Sequence, residues 1–309
     1  ADILGKEGVV MANSLLVLAH IRPAFLWLCL ESLRQCRGIE KYPLCLAINK
    51  SSDPAIPGVV EKLWQGLDYE LHVMPPDWFS LKSYGEALRY AFGKSDDFVI
   101  VVEDDQEVSK DFLELMEYVA ANLREERLFS VIAGLVAPPR ANVPSDNELL
   151  WVTHRFAMRG YMIFKEPFER YVLPYLCEEL YRSESVRSDG GRSYSRSFID
   201  DAFPEQIGDV FSLDGLIDRV VKGFNLHSLV AVVPRCHITG FFGVHMRGVT
   251  DEGIKLFRGW TLETRVDFLK SAIRAGALGQ FFGQHESEYW DIEDDHSWGK
   301  LKVRSEGMY

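Results

Sequence analysis

Residues Phe98–Asp105, FVIVVEDD, decide how the rest of the chain is read. Five apolar residues, Phe98 to Val102, run directly into three carboxylates, Glu103, Asp104 and Asp105. The run is β-branched and lacks polar alternation, which predicts a strand buried on both faces within a parallel sheet. Three unpaired acids inside such a sheet would be costly to bury. At its carboxyl edge, where open α/β sheets bind ligands, they are well placed. Adjacent acids repel unless a cation lies among them, and an all-oxygen donor set suits Mg²⁺ or Mn²⁺. The plainer alternative is a solvated acid cluster ahead of a helix at Val108–Val119, favoured by the helix dipole.

Outward from this stretch, strands and helices alternate. Strands are expected at Ser14–Ile21, Pro43–Asn49, Glu70–Met74 and Phe129–Leu135. Between them the pattern predicts helices at Ala24–Gln35, opened by Arg22-Pro23, and at Val59–Leu67, Lys82–Phe92 and Asp111–Leu123. This order describes βαβ units and a mostly parallel sheet. After Pro138-Pro139 the pattern changes. Trp151–Phe156 and Gly160–Phe164 read as strands of an antiparallel addition, and Glu166–Tyr181 as a helix rich in aromatics. Arg182–Ser197 is dominated by Ser, Arg and Gly and reads as a mobile loop, either a lid or an insertion without a role. Leu213–Val221 and Phe268–Ala275 are expected in helices, and Ser228–Pro234 in a strand. The expected organisation is a nucleotide-binding half at 14–140, an acceptor and catalytic half at 141–285, and an acidic, aromatic tail at 286–309.

Composition narrows the function classes. The apolar share of 47% and charged share of 26% are ordinary for a globular chain of 309 residues. A net charge of -12 argues against non-specific binding to nucleic acid or anionic membrane. Cys29, Cys36, Cys45, Cys177 and Cys236 form no CxxC pair, so neither a disulfide framework nor a zinc site is expected. No apolar run is long enough for a membrane span. The opening ADILGKEGVV lacks the basic region of a signal peptide, and Met11 would serve as a natural start. The expectation is a soluble, cytoplasmic-type chain; a Golgi-lumen placement would need an anchor outside this stretch.

Taken in order, these features resemble a GT-A glycosyltransferase. His20-Ile21-Arg22-Pro23 and Glu31-Ser32-Leu33 are similar to the NRP…ESL start of many sugar-nucleotide enzymes. Glu103-Asp104-Asp105 resembles the EDD metal motif of the N-acetylglucosaminyltransferase I family, glycosyltransferase family 13. Gly160-Tyr161-Met162-Ile163-Phe164 resembles that family's GWMLL strand, and Phe211-Ser212-Leu213-Asp214 stands where it has FWDDW. Arg235-Cys236-His237-Ile238 is similar to its RACIRPEIS region, and Gly279 to His285, GQFFGQH, to its GQFFDQH. The co-linear likeness covers roughly residues 14 to 285, with WDDW reduced here to Leu213-Asp214-Gly215-Leu216.

The resemblance implies a GT-A α/β fold: Rossmann-like, mostly parallel, with helices on both faces and a smaller antiparallel acceptor side. It implies an inverting, metal-dependent transfer of a sugar from a UDP-linked donor to a glycan or other hydroxyl acceptor. Asp105 would hold Mn²⁺ or Mg²⁺, while Glu103 and Asp104 would contact ribose or sugar. The nucleobase would lie near His20, Arg22, Asn49, Ser51 and Asp53. His245 would complete the metal shell or touch the diphosphate, and Arg247 beside it would neutralise phosphate. Asp214, by its place in the chain and at a helix start, would be the general base that inversion needs.

Several of these residues have simpler readings. Arg22 and Asp53 could form a surface ion pair, Asp214 a helix N-cap, and His245 a structural contact. Asp218 lies one helical turn beyond Asp214, and Asp200 with Asp201 is a second candidate pair for the base. His285 is a weaker candidate, and Trp290 and Trp298 are expected to pack rather than stack on a sugar. Two other functions compete. A sugar-nucleotide nucleotidyltransferase would carry a Gly-rich phosphate loop where Arg22-Pro23 stands. A non-catalytic carbohydrate-binding protein would not need both the acid trio and Asp214.

Overall fold

The computed structural model describes residues 13–49, 52–75, 80–134, 149–178, 181, 185–186, 192–193, 213–231, 234–239, 251–274 and 302–304. In the first half, strands and helices alternate: β1 (Ser14–Leu18), α1 (Pro23–Arg34), β2 (Leu44–Asn49), α2 (Ile56–Leu63), β3 (Tyr69–Met74), α3 (Ser80–Lys94) and β4 (Phe98–Glu103). A short β5 (Gln106–Val108) then precedes α4 (Phe112–Asn122) and β6 (Leu128–Ile132). The second half contributes β7 (Leu149–Thr153), β8 (Tyr161–Phe164), a small ladder of β9 (Ser185–Val186) and β10 (Arg192–Ser193), and α5 (Leu213–Gly223). It continues with β11 (His227–Ala231), β12 (Cys236–Ile238), α6 (Asp251–Gly259), α7 (Leu262–Arg274) and β13 (Lys302–Arg304).

The strand order β13-β7-β11-β6-β8-β4-β1-β2-β3 forms a sheet of nine strands. β4, β1, β2 and β3 run parallel, as three connected βαβ units require. β8 is inserted antiparallel between β4 and β6, so the two halves of the chain share one sheet. β11 runs parallel to β6, and β7 antiparallel to β11. The mixed α/β architecture implied by the sequence is therefore observed, including its antiparallel addition. Part of the tail joins the sheet edge, where β13 pairs with β7.

Side-chain alternation sends neighbouring residues of each strand to opposite faces. Leu15, Val17, Leu46, Ile100 and Val102 pack under α1, α2 and α4. Leu16, Leu18, Ala47, Val99 and Val101 pack under α3 and α5. Both faces are covered, which explains the unbroken apolar run of β4. Among the described residues no helix is long and apolar enough to cross a membrane.

Two sequence expectations fail locally. Residues 165–175 form short, irregular helical turns instead of one helix from Glu166. Pro174 has no N–H to donate and its ring opposes a continuing helix. The acid trio does not lead straight into a helix, either. β5 intervenes and pairs antiparallel with β12, matching Gln106 with Ile238 and Val108 with Cys236. Three residues are too few to show a period. Buried Arg235 meets Asp111 (Nε to Oδ2, 3.4 Å) and fixes this small sheet to the start of α4.

β8 starts after Gly160, whose φ is +53°. A Cβ there would lie 2.6 Å from both Cβ and Sγ of Cys236. Backbone conformation and close approach both demand glycine. Gly160→Ala is expected to lower unfolding free energy by about 2–4 kcal/mol, the sum of left-handed strain and overpacking. Chemical denaturation measures this, and a loss under about 1 kcal/mol would show that β12 can move away.

Candidate functional site

The parallel register brings the strand ends level. Leu18 pairs with Glu103, so the chain leaving β1 runs beside the acids leaving β4. The Asp104 N–H donates to Leu18 O (2.9 Å), and the His20 N–H reaches Asp104 Oδ2 (3.4 Å). Arg22, just before Pro23 opens α1, then clamps two of the acids. Its Nη2 pairs with Asp104 Oδ1, and its Nη1 with Asp105 Oδ2 at 2.5 Å. Arg22 thus lies among the carboxylates, and the surface ion pair with Asp53 is not formed. The cation inferred from the trio's mutual repulsion is, in part, this guanidinium.

Burial opposes charge throughout the cluster. It pushes the Asp104 carboxyl up to about 6, against the pull of Arg22. Burial and Asp105 push Glu103 up to about 8. Burial would lower the Arg22 pKa, but Asp104 and Asp105 outweigh it and hold the guanidinium protonated. Tyr84 of α3 hydrogen-bonds Glu103, whose charge, followed by burial, raises the phenol.

Gln106, fully buried, ties the trio to the second half of the chain. Its Oε1 accepts from the Gly160 N–H (2.9 Å) and the Glu103 N–H (3.2 Å). Its Nε2 donates to Met158 O (2.9 Å) and Glu103 Oε2 (3.2 Å). The Asp105 carbonyl accepts from Thr239 N (2.7 Å) and Thr239 Oγ1 (3.0 Å). Sequence reasoning missed Gln106, Tyr84 and Thr239. The only signal for Gln106 was a lone amide directly after three acids.

The expected nucleobase residues gather at the ends of β1 and β2. His20 Nδ1 lies 3.1 Å from Ser52 Oγ, which also accepts from the Asn49 N–H (3.0 Å). Burial, then Arg22, lowers the His20 pKa. Asp53 receives the Ala55 N–H on Oδ1 (2.9 Å) and shapes the turn into α2. Arg22, Ser52 and Asp53 line a cleft of about 390 Å³. Ser51, His245, Arg247, Asp200, Asp201, His285, Trp290, Trp298 and most of Arg182–Ser197 lie outside the described residues.

Among the described residues no three His, Cys, Asp or Glu side chains converge as a metal cage. The donor chemistry still suits a hard divalent ion. Asp104 has both oxygens engaged, by Arg22 and by His20 N–H. Asp105 uses only Oδ2 for Arg22, leaving Oδ1 as the oxygen a cation could take.

Asp214 sits in the first turn of α5. Its charge and that of Glu103 are both felt at one buried phenol: burial, then Glu103, then Asp214 raise the Tyr161 pKa. The Tyr161 hydroxyl has no hydrogen-bond partner among the described residues. Asp218, one turn on, is committed elsewhere. It accepts from the Phe156 N–H (2.8 Å), Arg155 Nε (3.0 Å) and Lys222 Nζ (2.7 Å), and so holds the approach to β8 against α5.

No family model matches the chain, and no curated protein matches it. Solved structures are similar only in outline. TarS of S. aureus in complex with UDP-GlcNAc aligns at 12% identity and a TM-score of 0.48, over 80% of this chain and 65% of that one. The present chain thus spans just under two thirds of that TarS chain. A mannosyltransferase from Pyrobaculum calidifontis, in complex with GDP-Man and Mn²⁺, aligns at 13% identity and a TM-score of 0.39, over 51% and 45% of the chains. A cytidylyltransferase from Leptospira borgpetersenii aligns at 14% identity and a TM-score of 0.34, over 54% and 66%. These are likenesses of outline and assign no role to any residue here.

The Arg22 clamp makes a pH prediction. Because the Asp104 pKa is raised in the folded state, the unfolded chain gives up this proton more readily. Stability from this group therefore falls as pH rises from about 4 to about 6. Without Arg22 the folded pKa rises further. Arg22→Gln should cost about 3 kcal/mol at pH 8, and less near pH 5, where Asp104 is mostly protonated. Urea unfolding in EDTA at both pH values tests this; a pH-independent difference would mean the pair contributes through packing alone.

Proposed function

We propose that this chain transfers a sugar from a nucleotide-sugar donor to a hydroxyl acceptor, with inversion at the anomeric carbon. The observation that carries the reading is the trio at the carboxyl end of β4, clamped by Arg22 beside a cleft, with Asp105 Oδ1 left for a cation. The finer likeness to the N-acetylglucosaminyltransferase I family, and with it a UDP-linked donor, rests on the co-linear motifs. In the structure, three of these flank one another: the trio, Gly160–Phe164 and Arg235–Ile238 meet at Gln106 and the β5–β12 pair.

A divalent ion bound at Asp105 would neutralise charge on the departing diphosphate. Ser52 and Asp53 line the cleft, with His20 beside Ser52, and these residues would hold the nucleoside. Glu103, kept in place by Tyr84 and Gln106, would position the sugar or ribose. Asp214 would take the proton as the acceptor oxygen bonds to the anomeric carbon. The bond from that carbon to the diphosphate breaks in the same displacement, and its electron pair leaves with the nucleotide. Asp218, held by three donors, is unsuited to that task. The acceptor is a glycan or another hydroxyl compound, and the halves 14–140 and 141–285 would serve donor and acceptor.

The test is incubation with UDP-GlcNAc, GDP-Man and related donors, with and without Mn²⁺, followed by detection of the released nucleotide diphosphate. Pyrophosphate as the product instead would assign a nucleotidyltransferase. Asp105→Ala should lose most metal-stimulated turnover with the fold intact, and full activity in EDTA would remove the metal from this scheme. Asp214→Asn should slow turnover about 10²–10⁴-fold while donor affinity changes little. An Asp214→Asn enzyme within a few-fold of wild type, or product that keeps the donor's anomeric configuration by proton NMR, refutes the inverting assignment.

A further inference from the structure

The cleft beside Arg22 has a second wall that the proposed reaction does not use. It is formed by α6 and α7, which pack on α1 through Phe25, Leu28, Phe257, Val266 and Leu269. Lys270 pairs with Glu31 of α1 at 2.7 Å and fixes the same contact. This packing brings Arg258, from the last turn of α6, and Arg265, from the first turn of α7, to the cleft that Arg22 lines from the other side. Asp53 is the one carboxylate among its described lining residues, and its Oδ1 already accepts the Ala55 N–H.

Two independent features favour an anion here. First, the Arg265 Nε is buried with no hydrogen-bond partner among the described residues. Arg265 also sits in the first turn of α7, capped by Thr261 (Oγ1 to Thr264 N, 3.2 Å), where the helix dipole disfavours a cation. Second, α1 begins at this cleft with no side-chain cap and no acid in its first turn. The Ala24 N–H belongs to the amides that a helix cannot satisfy internally, and Ala24 lines the cleft. A phosphate would meet guanidinium forks and a helix amide together. At about 390 Å³ the cleft falls in the lower part of the range for small-molecule sites, roughly 300–1,000 Å³.

We infer that this cleft between the start of α1 and the α6–α7 pair is a phosphate-binding site, with Arg265 as its principal side-chain donor and Arg258 supporting it. The inference deepens the proposed sugar transfer by requiring a phosphate-bearing substrate, and it can be tested without transfer. The phosphate could belong to a nucleoside diphosphate donor or to a phosphorylated acceptor; the chemistry at Arg265 is the same.

The experiment is calorimetric titration of the full chain in EDTA with pyrophosphate, UDP, uridine and glycerol 3-phosphate. Wild type, Arg265→Gln, Arg265→Lys and Arg258→Gln are compared. Pyrophosphate should bind, more weakly as salt is raised, and Arg265→Gln should weaken it about tenfold or more. Arg265→Lys should recover only part, since an ammonium cannot offer the planar fork. Arg258 is exposed, so Arg258→Gln keeps the test decisive if Arg265→Gln fails to fold, with a several-fold loss expected. Much tighter binding of UDP than uridine, with that difference lost in the Arg265 variant, assigns the site to the donor. Glycerol 3-phosphate binding that persists under saturating UDP assigns it to the acceptor. No binding of any phosphate by wild type, or unchanged binding in the folded variants, overturns the inference. Sugar transfer with Arg265-independent phosphate binding defeats this inference alone, and Arg265-dependent binding without transfer defeats only the transfer reading.

Discussion

The site depends on one guanidinium among three carboxylates. The parallel register of β1 and β4 sets Glu103, Asp104 and Asp105 side by side with the β1–α1 connection. Asp104 is 2% exposed, so an unpaired charge there would be strongly destabilising. Arg22 answers it with a two-acid clamp, and Pro23 directly after it fixes where α1 starts. The ion pair therefore also orients the helix that covers one face of β4. Breaking such a partly buried pair costs more than forming it gains, since the remaining carboxylate loses its partner inside the protein. A cation binding at Asp105 would share its carboxylate with Arg22, so metal affinity and clamp geometry are coupled.

The second constraint is Gln106. A buried amide is favourable only when its donors and acceptor lone pairs are used. Gln106 uses both N–H donors and both lone pairs of its carbonyl, on Glu103, Met158 and Gly160, with the Cys236 thiol also near its Oε1 (3.6 Å). These partners come from β4, the β7–β8 connection and β12. The side chain thus registers the second half of the chain against the acid end of the first. Gly160 makes that approach possible, because any Cβ at this point would meet Cys236.

Much of the fold was legible because β4 has the signature of a strand covered on both faces, and because Pro23 and the apolar helices around it punctuate a βαβ order. The trio's position at a strand end was legible for the same reason. The partners were not. Arg22 and Asp53 are equally plausible as a pair in sequence, and only the three-dimensional register shows that Arg22 turns towards Asp104 and Asp105. Gln106 carries no periodic signal, β5 and β12 have three residues each, and the separation of 130 residues between Gln106 and Cys236 is invisible to local reasoning. The two acids of α5 illustrate the limit well. Asp214 and Asp218 share a helical spacing, yet Asp218 is held by three donors while the charge of Asp214 is felt at Tyr161. The expected helix from Glu166 failed at Pro174, where a proline rule outranked the aromatic pattern.

Charge decides what else the site must contain. The chain carries -12 overall, a field that repels an anionic substrate. Three carboxylates against one guanidinium leave the β4 end negative even when Glu103 is protonated, because Arg22 is already shared between two acids. A nucleoside diphosphate brought there adds like charge. Arg22 alone cannot offset it; its forks are occupied. Further positive charge has to come from outside the clamp. Asp105 Oδ1 offers a place for a divalent ion on one side, and Arg258 and Arg265 stand on the other. The α6–α7 pair, of which the sequence announces only Phe268–Ala275 as helix, is thereby the element that could convert an acidic strand end into a site for an anionic substrate.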